Sequence, residues 1–223
     1  IDSSLSPDLE ADDIAQFLGS RRRLERVAIR HTVGLDDKIE GAGGVTDVKE
    51  NAGARYFKLK LNGDPEADAA RLLRIGNELA TLPHDYSVTL DANEQYADLA
   101  ALGALVDRLE RDGALKPIAS KLLYIEQPMP RESFRQSPLG GLAARDFIID
   151  EADDSYDAFP AAHALGYRGL SSTSCKGIYK SVVTATRAAK WSGGCEKYFI
   201  AAEDLTGQAG HAVAVVPGPE GVG

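Results

Sequence analysis

YFKLKLNGDPEADAARLLRIGNELATLPHDYSVTLDAN, residues 56 to 93, carries a strand, a capped helix and a second strand without interruption. In the first run Lys58 and Lys60 stand two residues apart, so in a strand both ammonium groups leave the same face. Asp64-Pro65 then reads as a helix cap followed by proline at the first helical position. Apolar residues recur beyond it at spacings of three and four, which is the period of a helix with one buried face. The second run closes on Asp91. Strand, helix and strand in this order predict a parallel βαβ unit.

The same alternation continues on either side. Further short runs rich in β-branched and aromatic residues are RVAIRHTV (26 to 33), LLYIEQP (122 to 128), RDFIIDE (145 to 151), GLSSTS (169 to 174) and YFIAAED (198 to 204), which makes seven predicted strands. A second clear helix lies in ADLAALGALVDRLERDGAL, with Gly113 marking its end. Repeated parallel units leave a closed (β/α)8 barrel or an open doubly wound sheet as the main choices. Landmarks at the strand ends, Lys60, Asp91, Glu126, Asp150, Thr173 and Glu203, lie 31, 35, 24, 23 and 30 residues apart. That spacing suits a barrel, whose eight units average about 31 residues in a chain of about 250. The expected fold is therefore α/β, a TIM-type barrel occupying residues 26 to 223. It is expected to be incomplete, because only GHAVAVV and a glycine-rich tail follow Glu203-Asp204 and an eighth strand is not recognisable. EGAGGV, at 40 to 45, is also abrupt, leaving little room for a helix between the first two strands.

Composition narrows the class of function. The chain has 223 residues, 43% of them hydrophobic, and a formal charge of −9. That acidity argues against a nucleic-acid or membrane-surface role, which calls for a basic face. The one basic cluster, Arg21-Arg22-Arg23 with Arg26, reads as a solvated helix end. No apolar stretch approaches the roughly 18 to 20 residues that cross a bilayer, and the first residues are acidic and polar. A cytoplasmic protein is expected. Its two cysteines, Cys175 and Cys195, read as buried thiols in a reducing compartment.

Three acidic side chains close three successive strands: Asp91, Glu126 and Asp150. Carboxylates delivered from different strand ends to one rim suit a hard cation of the Mg²⁺ kind. Lysines on an adjacent strand, aimed at an acid held there, suggest carbon-acid chemistry. A proton α to a carboxylate is too weakly acidic for an ordinary lysine, so the dianion must be stabilised as it forms. A divalent ion on the carboxylate oxygens supplies that stabilisation. A lysine crowded by a second cation can be neutral near pH 7 and act as a base.

Taken together, the KLK pair, LDAN, IEQP and IIDE, in that order and spacing, resemble the enolase superfamily, specifically its mandelate racemase and muconate lactonizing enzyme branch, over residues 26 to 205. The resemblance implies Mg²⁺ held by Asp91, Glu126 and Asp150, and abstraction of the proton α to the carboxylate of a small substrate. An enediolate intermediate would then lead to dehydration, epimerisation or racemisation, or cycloisomerisation. Lys60 matches the general base and Lys58 the cation that lowers its pKa. Asn93 and Glu151 match supporting positions beside ligands; Asp150 rather than Glu151 is assigned to the metal because the sequence resembles the DE form of the motif. The family also implies a homo-oligomer.

Two departures stand out. Lysine-type members carry another catalytic lysine at the end of the sixth strand, where the best register here places Thr173; Lys176, three residues on, is the remaining candidate. Glu203 and Asp204 close the seventh strand as polar or acid groups. The family also adds an α+β capping domain of about a hundred residues, against which residues 1 to 25 read as a remnant or linker. These departures motivate a second reading, a non-catalytic barrel relative that binds metal or a small acid. His31 reads as a structural histidine, Cys175 as a packing residue without an adjacent base, and Gly193-Gly194 as a plain loop. His84, His163 and His211 carry no assigned role.

Overall fold

The structure is a computed structural model that describes residues 6–21, 28–47, 53–192 and 196–203. Cys195, Asp204, His211, Gly193-Gly194, most of the Arg21 to Arg26 cluster and the tail lie outside these residues. The chain divides into two compact units, one of residues 28–147 and one joining 1–27 to 148–223. No helix among the described residues is long and apolar enough to cross a membrane.

The unit of residues 28–147 contains strands β1 (Arg30–Val33), β2 (Tyr56–Lys60), β3 (Ser87–Asp91) and β4 (Leu122–Glu126), parallel and in chain order. Strands β2, β3 and β4 are largely buried along their length, as expected of parallel strands covered on both faces. Helix α2 (Pro65–Leu79) joins β2 to β3 as the sequence predicts: the Asp64 side chain accepts the Glu66 and Ala67 amide protons, and Pro65 occupies the first turn. Its buried stripe includes Ala69, Leu72, Ile75 and Leu79. Helix α3 (Leu99–Arg111) is capped by Asp98 and buries Leu102, Leu105, Val106 and Leu109. It ends at Asp112, so Gly113 opens the following short 3₁₀ turn instead of terminating the helix. A single turn of helix, α4 (Lys116–Ala119), precedes β4. Residues 34–47 run through turns, with Gly41 and Gly43 at positive φ, in keeping with the abrupt glycine-rich segment.

One irregularity in this unit positions the site. Val88 pairs with Leu122, but Leu90 pairs with Ile125 and Asp91 with Glu126. The register slips by one residue, and without the slip Asp91 would lie level with Ile125. A bulge therefore brings the two carboxylates opposite each other.

The second unit contains β5 (Phe147–Ile149) from Ile148 onward, β6 (Gly169–Ser172) and β7 (Phe199–Ala202), again parallel and in chain order. Helix α5 (Ala158–Ala164) joins β5 to β6, and α6 (Ile178–Trp191) joins β6 to β7. Helix α1 (Ala11–Ser20) belongs to this unit, where Arg187 of α6 forks onto Asp8 and Lys190 reaches Asp13. Cys175, expected to be buried, is exposed. It lies in a 3₁₀ turn just beyond the end of β6, outside the strand whose side chains are buried.

Candidate active site

The residues singled out in the sequence fall into two groups, one in each unit. Lys58, Lys60, Asp91, Asn93 and Glu126 lie in residues 28–147; Asp150, Glu151, Thr173, Lys176 and Glu203 lie in the other unit.

In the first group, Lys60, Asp91 and Glu126 share one level of the sheet, being successive register partners at the C-terminal ends of β2, β3 and β4. Lys58 sits one inward-facing position below Lys60. Asp91 and Glu126 are fully buried. Two carboxylates removed from water require compensating charge, and Lys58 provides it to both. Its Nζ lies 2.9 Å from Asp91 Oδ2 and 3.2 Å from Glu126 Oε2. Lys60 donates to the same Asp91 oxygen at 2.6 Å and to Asn93 Oδ1 at 2.7 Å. Burial by itself raises the Asp91 pKa, but the charges and hydrogen bonds of Lys58 and Lys60 outweigh it and hold the carboxyl below its ordinary value. The two lysines differ in access: the Lys58 side chain is 2% exposed and that of Lys60 26%.

The loops leaving these strands are strained. Asn93, Glu94 and Gln127 adopt positive φ of 43°, 68° and 34° although none is glycine. Such outliers persist only where surroundings hold them, and they gather at functional sites. The holding contacts are visible. Asn93 N donates to Asp91 Oδ1, Arg131 forks onto the Glu94 carboxylate at 2.8 and 2.7 Å, and Gln127 Nε2 donates to the Met129 carbonyl. Gly63, just past Lys60, also has positive φ, and a Cβ there would lie 2.2 Å from the Gln95 carbonyl oxygen. Buried Asp68 of α2 accepts from the Asn62 and Gly63 amides and from the Tyr96 hydroxyl, tying the loops after β2 and β3 together.

In the second group, Lys176 sits in the 3₁₀ turn after β6, and its side chain folds back toward the strand ends. Its Nζ donates to Asp150 Oδ1 at 2.5 Å, to the Asp150 carbonyl at 2.6 Å and to the Ser171 carbonyl at 3.0 Å. Of the adjacent pair Asp150 and Glu151, Asp150 is the one that meets this lysine. Thr173 is buried, with Oγ1 2.9 Å from Cys175 Sγ. Glu203 accepts from Ser171 Oγ at 3.4 Å, and its amide donates to the Ser172 carbonyl. Below them a buried pair, Lys180 and Asp153 at 3.0 Å, fastens the turn after Asp150 to α6; burial keeps the Asp153 pKa raised despite the lysine.

Two features escaped the sequence reading. Arg30 of β1 extends to Glu126 Oε2 at 3.6 Å and donates to the Tyr124 hydroxyl and to Thr89 Oγ1. Its position on an inward face was legible only in parity, since one arginine in RVAIRHTV does not reveal which strand it spans to. The Lys180 and Asp153 pair lacked any signal, because each residue taken alone reads as a surface charge. Of the histidines, His31 packs edge-on against Phe57, His84 lies beside its neighbour's carbonyl, and His163 stacks on Trp191 and meets the Tyr198 hydroxyl.

The donor set suits a hard divalent cation. All the candidate ligands are carboxylate oxygens, and Asp91 and Glu126 already converge on one cationic nitrogen within 3.2 Å.

No family model and no curated protein matches the chain. Solved structures do. A mandelate racemase/muconate lactonizing protein from Herpetosiphon aurantiacus is similar over 80% of this chain and 48% of its own, with a TM-score of 0.60 and 20% identity. An enolase family member from Agrobacterium tumefaciens, with homology to dipeptide epimerases, is similar over 91% of this chain and 61% of its own, with a TM-score of 0.57 and 18% identity. A dipeptide epimerase from Methylococcus capsulatus, complexed with Mg and the dipeptide L-Arg-D-Lys, is similar over 80% of this chain and 47% of its own, with a TM-score of 0.52 and 22% identity. The chain thus spans about half the length of the first of these structures. Likeness at this level of identity establishes the architecture: the chain has the fold of part of the (β/α) barrel found in the mandelate racemase and muconate lactonizing enzyme branch of the enolase superfamily.

Proposed function

We propose that this chain is the barrel portion of an enzyme that removes the proton α to the carboxylate of a small organic acid, with Lys60 as the base. The supporting observation is the junction of β2, β3 and β4, where two lysines from one strand engage two fully buried carboxylates at the same level. Asp91, Glu126 and Asp150 would hold Mg²⁺, as their strand-end positions and oxygen donors suit it. When bound, the ion supplies charge stabilisation to a substrate carboxylate.

The remaining roles belong to the chain. Lys58, enclosed between Asp91 and Glu126, supplies counter-charge to both carboxylates and fixes their positions. Lys60 is the better placed to exchange a proton with substrate, because it retains solvent access and can leave Asp91 and Asn93 by rotation of its long side chain. Asn93 steers that side chain. Lys176, held on Asp150, is the second candidate proton carrier, with Glu151, Thr173 and Glu203 lining the supporting positions. A homo-oligomer in the cytoplasm completes the reading.

Exchange of substrate α-protons with solvent deuterium tests it. Dipeptides come first among the substrates, because two of the similar structures carry dipeptides; amino acids and sugar acids follow. Exchange in the wild type that disappears in Lys60→Ala supports the assignment. Exchange that survives unchanged in the variant removes Lys60 as the base, and Mg²⁺ binding without exchange or turnover across the whole set supports a non-catalytic relative.

A further inference from the structure

Arg30 comes from β1, two strands away from the nearest carboxylate of the group and three away from Glu126. Its guanidinium nevertheless reaches Glu126 Oε2 at 3.6 Å, Thr89 Oγ1 at 3.4 Å and the Tyr124 hydroxyl. The partners are not scattered. Thr89 stands two residues before Asp91 and Tyr124 two residues before Glu126, so both lie directly beneath a carboxylate on the same face. Only 16% of the Arg30 side chain is exposed. All three contacts are made by one nitrogen, Nη1, of a planar group whose orientation is fixed by its neighbours on two strands.

Lys58 and Arg30 divide the task differently. Lys58 is shared between Asp91 and Glu126, whereas Arg30 reaches Glu126 together with two other side chains of β3 and β4 that it contacts, Thr89 and Tyr124. Glu126 also has one more rotatable bond than Asp91 and correspondingly more need of a fixed support. We propose that Arg30 is a positioning residue: through its hydroxyl partners on β3 and β4 it braces the Glu126 carboxylate in the orientation that accepts a divalent cation. This rests on the metal-binding reading above. Outer partners of ligating carboxylates typically contribute about 10- to 100-fold to metal affinity.

The experiment uses Mn²⁺ alone as the probe, with its affinity for the full chain read by electron paramagnetic resonance. Two charge-conserving variants, Arg30→Lys and Tyr124→Phe, separate orientation from net electrostatic effects, and thermal melting monitors the fold. Wild-type protein is expected to bind Mn²⁺ and Asp91→Asn to lose it. Arg30→Lys is expected to weaken binding about 10-fold with little change in melting temperature, and Tyr124→Phe to weaken it by a smaller factor. Should Arg30→Lys fail to fold, Tyr124→Phe decides alone. Wild-type affinity in the folded variants overturns the positioning role while leaving the metal reading intact. Absence of Mn²⁺ binding in the wild type overturns both.

Discussion

Lys58 is almost wholly removed from water, and the physical reason it is tolerated there is that two carboxylates meet it. Breaking a buried ion pair by removing one partner commonly costs about 3–5 kcal/mol, because the charge left behind stays buried. Lys58→Met is therefore expected to destabilise the protein by about that amount, whereas Lys60→Met, at a partly exposed position, should cost about 1 kcal/mol or less. Urea unfolding midpoints compare the two. The sign of the acid response follows from Asp91. Its folded pKa lies below the ordinary 3.8, so its contribution to stability is fully present above that value and is lost as pH falls through the folded value. Lys58→Met raises the folded pKa of Asp91, so the loss of stability on acidification should begin at higher pH than in wild type; an unmoved acid limb would count against Lys58 as the counter-charge. These residues were legible in the sequence because parity in a strand is strict, which fixes Lys58 and Lys60 to one face. Arg30 was not, because parity says nothing of how far a side chain reaches across a curved sheet.

At the scale of elements, the clearest forecast was α2, where Asp64 and Pro65 act locally and their effect does not depend on the rest of the fold. The bulge between β3 and β4 was invisible, since a one-residue slip is decided by pairing with a distant strand. It determines which residue faces Asp91, and so the site depends on a feature that no local propensity encodes. Gly113 misled for a related reason: a glycine after a helix usually caps it, but here Asp112 caps the following turn and takes over. Gly63 is where element packing is tightest. Gly63→Ala brings a Cβ against the Gln95 backbone and adds strain at positive φ, so a loss of about 1–3 kcal/mol is expected from chemical denaturation, with no comparable loss at Gly103, whose surroundings are open.

For the whole molecule, the even spacing of strand-end landmarks carried the fold class, since a barrel repeats one unit and each unit ends in a rim residue. If the strand-end carboxylates hold a divalent ion, binding to the folded chain alone must raise its stability. Mg²⁺ at a hundredfold excess over its dissociation constant is expected to add roughly 2.7 kcal/mol. Differential scanning calorimetry should show melting temperature climbing with Mg²⁺ in wild type and not in Asp91→Asn; an equal rise in both would place the effect elsewhere. Lys58, held between Asp91 and Glu126, has a consequence for descent. A single exchange that removes the charge of any one of these three residues unbalances a buried cluster, so a lineage drifting away from this chemistry would meet a fitness valley at its first step. The three would be inherited together or abandoned together, and a descendant retaining one without the others would be expected to carry compensating changes nearby.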